Sequence, residues 1–124
     1  MLRSAAAAFL FLATAVPSHA FMAKNDLVVV PLGNGAFEVP YRGLSGTSDF
    51  WCAAGDYVVR ELNLSPQTRV YRTSSPPRRA GQGVSFSLSA NDAKRSGLVL
   101  HDGGRGLTAA HARQLCDVRE LIAD

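Results

Sequence analysis

The chain has 124 residues, a net charge of +3 and only two cysteines. A charge that mild excludes the concentrated basic face that nucleic-acid binding needs. The length beyond the first twenty residues suits one compact domain, with no internal repeat and no second domain.

The amino terminus reads as a secretory signal peptide. Arg3 supplies a positive charge, Ala5 to Val16 is an apolar run, and Pro17 breaks it. Ser18 and Ala20 then place small residues at −3 and −1 of a cleavage site. The run is shorter than the ~20 residues of a membrane-crossing helix, so a transmembrane protein is not expected. Cleavage after Ala20 leaves residues 21–124 as the expected mature domain, periplasmic or secreted.

Asp26 to Val30 is apolar on both faces and reads as a well-buried strand. Gly33-Asn34-Gly35 predicts a hairpin turn, because these residues tolerate positive φ. Phe37, Val39 and Tyr41 alternate with Glu38 and Pro40 in the return strand. Pro40 cannot donate to a ladder, which places it at an edge or strand end.

Thr47 to Leu64 is the main predicted helix. Trp51, Ala54, Gly55, Val58 and Leu62 recur on one face. Asp49, Asp56, Arg60 and Glu61 are expected on the outer side. Ser48 is the expected N-cap, and Asn63 and Pro66 are the stop signals. Gly55 costs about 1 kcal/mol against alanine inside a helix. Its place on the buried face points to close approach by another backbone.

Thr68 to Arg72 reads as a short strand, and 73–83 as a loop carrying Arg78 and Arg79. Val84 to Ser89 alternates Val84, Phe86 and Leu88 with serines, the pattern of a strand with one buried face. Gly97 to His101 is a further candidate strand, followed by a glycine-rich loop to Gly106. Thr108 is the expected N-cap of a last helix over 109–122. Leu107, His111, Leu115, Val118 and Ile122 are expected on its inner side.

Cys52 and Cys116 are the two cysteines of an expected exported domain and are read as one disulfide. The expected fold class is α+β. Four to five mostly antiparallel strands carry two helices on one face, in the order ββαββ(β)α.

The segments FEV, DFWCAAGDYV, TRVYR and VSFSLS resemble those of a family of small exported bacterial proteins to which no activity is attached. The WCAAGDY segment is the most specific of them. The resemblance implies export and a single fold, and it carries no function.

No catalytic constellation stands out. No serine sits in a Gly-x-Ser-x-Gly elbow, and the cysteines are committed to each other. His101, Asp102 and His111 supply at most three ligands at no recognised metal spacing, so no metal and no other cofactor is expected. Two surfaces remain. His101, Asp102, Arg105 and His111 surround the glycine-rich loop, where backbone N–H groups and Arg105 suit an anion. Arg78 and Arg79 sit on the long loop and suit contact with a periplasmic protein or envelope component. The leading expectation is a non-enzymatic interaction module. The alternative is a small hydrolase or anion-binding protein using the His101–His111 region.

Overall fold

The computed structural model describes residues 7–8, 20–43, 46–98 and 106–117. The expected signal peptide, His101, Asp102 and Arg105, the end of the predicted Gly97–His101 strand, and everything beyond Asp117 lie outside them.

Six strands form one antiparallel sheet: β1 (Phe21–Met22), β2 (Val28–Gly33), β3 (Ala36–Val39), β4 (Arg69–Arg72), β5 (Val84–Ser87) and β6 (Leu107–Thr108). Their spatial order is β1-β2-β3-β5-β4-β6. Helix α1 (Thr47–Asp56) joins β3 to β4, and α2 (Ala109–Gln114) follows β6 directly. The fold is α+β, with six strands where the sequence predicts four or five. The two additional strands are the two-residue edges β1 and β6, too short to show any alternation.

The β2–β3 hairpin turns where predicted. Asn34 and Gly35 have φ of 54° and 76°, the left-handed pair that matches strand twist. Asp26, expected to open β2, instead closes the β1–β2 turn with φ of 67°. Asn25 locks that turn by accepting from the Leu27 amide and donating to the Asp49 carbonyl of α1. Pro31 sits inside β2, but β1 covers only Val28 and Val29, so no ladder donor is missing there. Val29 is buried while Val28 and Val30 are half-buried, since the helices cover one face of the sheet.

Val29, Phe37, Val39, Val70, Val84, Phe86 and Leu107 of the sheet meet Phe50, Trp51, Ala54 and Val58 of the helix segment. The Trp51 ring stands edge-on to Phe86, with centroids 4.9 Å apart, and its Nε1 donates to the Ser96 carbonyl. The predicted apolar stripe is therefore the sheet-facing side of α1.

The other side is covered as well. Every residue from Asp49 to Asp56 is buried, because α2 packs over the side expected to face water. Gly55 explains how the helices come so close: a Cβ there would lie 2.7 Å from the Ala109 carbonyl oxygen and 2.7 Å from the Ala112 Cβ. Cys52 and Cys116 form the disulfide across this contact, with Cα atoms 4.8 Å apart.

The cap of α1 is Gly46 rather than Ser48. Asp49 decides this, since its carboxylate reaches back to accept from the Gly46 amide. At the other end the last turn widens into a π-helical segment, Tyr57–Glu61. Asn63 (φ 53°) then ends it as expected, with the Leu64 amide donating back to the Val58 carbonyl. Thr108 caps α2 as predicted, accepting from the His111 amide.

Candidate functional site

Two clusters of polar side chains lie at opposite ends of α1. The first surrounds Asp56, which the sequence places on the outer side and the structure buries completely. The reason is α2, which packs over that side of α1. The Lys24 amide donates to Oδ2 of Asp56, and Arg60 donates to both oxygens through Nε and Nη2. Arg113 of α2 adds an ion pair, with Nε 3.3 Å from Oδ1. Burial by itself would raise the Asp56 carboxyl. The hydrogen bonds from Arg60 and Lys24, and the charges of Arg60 and Arg113, outweigh it and hold the group below its ordinary value. Arg60 also lies over the Phe21 ring, 5.0 Å from its centroid, and so clamps β1. One carboxylate thus ties together the β1–β2 turn, α1 and α2. Lys24 and Asp117 pair at the rim of a shallow hollow of about 290 Å³, an exposed contact of small energetic weight.

The second cluster surrounds the 73–83 loop. Its base is Arg72, which projects from β4 into the core and is 2% exposed. Its Nε donates to the Ser74 carbonyl and its Nη1 to the Ser96 carbonyl. Burial, and then the like charge of Arg78, pull its guanidinium below the ordinary value. Arg72 therefore joins β4, the 73–83 loop and the 88–98 segment at one point. A buried arginine is not apparent from the sequence, where Val70 and Arg72 only share a strand face.

Arg78, expected with Arg79 in a loop suited to partner contact, is half-buried and committed within the fold. Its guanidinium carbon lies 5.3 Å from the Tyr41 ring centroid and 5.2 Å from that of Phe50. Its Nη1 donates to the carbonyls of Arg79 and Gln82. Cation–π contact and carbonyl caps together hold the loop against the start of α1. The Thr73 amide donates to the Ser85 carbonyl, and the Ser85 amide to the Ser74 hydroxyl. Arg79 is exposed. The paired arginines thus divide into a brace and a surface charge.

The braced loop forms one wall of an open groove of about 450 Å³, lined by Glu38, Pro40, Tyr41, Ser74, Gly81, Gln82, Gly83 and Ser85. Such a volume falls in the ~300–1,000 Å³ range of small-molecule sites. Gly83 lets the loop approach β3: a Cβ there would fall 2.8 Å from the Pro40 Cα. Tyr41 is 45% exposed, a large ring left open at the edge of the groove.

Of the other predicted site residues, only His111 lies among the described residues. It is exposed on α2 rather than on its inner side, where Ala109 and Ala112 pack instead. The α-helix ends at Gln114, short of the predicted span 109–122, and passes into a 3-10 turn at Leu115–Asp117. Among the described residues, no group of three or more His, Cys, Asp or Glu is placed to hold a metal ion, and no helix is long and apolar enough to cross a membrane.

Comparison with protein-family models, curated proteins and solved structures found no match.

Proposed function

We propose that this chain is an exported, non-enzymatic interaction module that contacts a periplasmic protein or envelope component through the groove between the end of β3 and the 73–83 loop. The observation that carries this reading is the bracing of that loop: Arg78, held between Tyr41 and Phe50, fixes one wall of an open groove. A fixed wall lowers the ordering cost of binding. The disulfide fits an oxidising compartment outside the cytoplasm, in line with the leader read at residues 1–20. Arg78 acts on the shape of the wall, and Arg79 is exposed on the same loop.

The test is site-specific photo-crosslinking in an exporting bacterial host. A crosslinker at Gln82 in the groove should capture an envelope component. The same group at Glu61, exposed at the end of the π-helical segment beyond α1, should capture none. Equal capture from both positions, or none from Gln82, would remove this reading.

A further inference from the structure

Resting on that reading, we propose that the groove binds a neutral, hydroxyl-rich saccharide segment, with Tyr41 as its apolar platform. Four polar side chains that line the groove hold donor or acceptor capacity with no partner among the described residues. The Glu38 carboxylate, the Tyr41 hydroxyl, the Gln82 side-chain amide and the Ser85 hydroxyl make no hydrogen bond or ion pair to the described residues. In the Asp56 cluster, by contrast, both carboxylate oxygens are occupied several times over. Open polar groups around one aromatic ring suit a ligand with an apolar face and many hydroxyl edges. A pyranose ring has both: C–H bonds for the aromatic face, and vicinal hydroxyls that a carboxylate and an amide can engage as donor and acceptor.

The alternatives fit less well. A phosphate or carboxylate ligand would meet the negative charge of Glu38, while the guanidinium of Arg78 is already stacked and capped. A peptide added as an extra strand would need a free strand edge, yet β3 is flanked by β2 and β5 along the groove. A fully apolar ligand would leave the four polar groups without partners. Arg78, over the Tyr41 ring, holds the platform at a fixed tilt before any ligand arrives.

The saccharide could be a free oligosaccharide or part of an insoluble envelope polymer, and the experiment separates them. Residues 21–124 in oxidised form are titrated with cellotetraose and with the β-1,4-linked tetramer of N-acetylglucosamine, following amide shifts by NMR. Pelleting with purified peptidoglycan sacculi runs in parallel. Saccharide binding predicts shifts confined to residues 38–41, 74 and 81–85. Glu38→Gln and Gln82→Ala should each weaken binding up to about tenfold, the loss of one hydrogen bond, with unchanged thermal stability. Tyr41→Phe should retain the platform and lose only the hydroxyl contribution. Shifts with the tetramers mark a free-sugar site, and pelleting that Glu38→Gln reduces marks a polymer site. No shift with either tetramer and no pelleting would overturn the proposal, as would shifts mapping elsewhere. If Gln82 still captures a protein in cells under that outcome, the groove remains an interaction site and only its ligand class is wrong.

Discussion

The two ends of α1 use the same pieces and finish them differently. At the carboxy-terminal end, Arg60 stacks on Phe21 and closes on Asp56, and Arg113 and Lys24 fill what remains of the carboxylate. At the amino-terminal end, Arg78 stacks on Tyr41 and Phe50 and closes on backbone carbonyls. Glu38, on β3 in the lining of the groove, is left without a partner among the described residues. Buried charge is tolerable only when it is paired and hydrogen-bonded, and the Asp56 end meets that condition. The groove end carries its unpaired polar groups at the surface, where water satisfies them until something replaces it. The contrast teaches where each end acts: one holds the helices together, and the other is open to a ligand.

The largest effect should come from the disulfide. Replacing Cys52 and Cys116 together with alanine opens a closure of 64 residues and should cost about 4 kcal/mol in urea unfolding. A loss below about 1 kcal/mol would mean that the Asp56 cluster alone secures α2.

Asp56→Ala should follow, at about 3 kcal/mol, because it removes the charge-assisted hydrogen bonds from Lys24 and Arg60 and the ion pair with Arg113 that tie the β1–β2 turn, α1 and α2 together. This end should also set the acid sensitivity. The folded Asp56 carboxyl lies below its ordinary value of about 3.8, so its contribution is whole above that pH and is lost as pH falls through the lower folded value. In Asp56→Asn, that part of the acid loss should vanish from unfolding curves measured between roughly pH 5 and 2.

Arg78→Ala should have the smallest effect on global stability, about 1–2 kcal/mol for two ring contacts and two capped carbonyls. It should speed proteolytic cleavage within residues 73–83 well beyond that change, because the brace is local. No change in cleavage, or an increase no larger than the global destabilisation explains, would mean that the loop is held by Arg72 and Ser74 instead.

Much of this architecture is legible in the sequence. The Gly33-Asn34-Gly35 turn, the alternation at Val84 to Leu88, the Trp51–Leu62 stripe and the Thr108 cap all rest on local rules of period and backbone preference. The value of Gly55 is legible as well, since a glycine on an apolar helix face implies a close neighbour. Less legible are the features that depend on which segments meet. In the sequence Asp56 reads as an outer helix charge, Arg72 as the end of a short strand and Arg78 as part of a contact loop. They became a buried anchor, a core crosslink and a ring-stacked brace because α2, the 88–98 segment and the 73–83 loop came to rest on them.

The sequence by itself determined the α+β class, the strand and helix periods, the stop of the first helix at Asn63 and the pairing of the only two cysteines, because each follows from residues close together in the chain or from a count of two. Only the tertiary structure decided the sheet order, the two short edge strands, the side of α1 that carries Asp56 and the existence of a groove beside Tyr41. Those depend on contacts between residues tens of positions apart, such as Lys24 with Asp56 and Trp51 with Ser96, and hydrophobic period does not specify such partners.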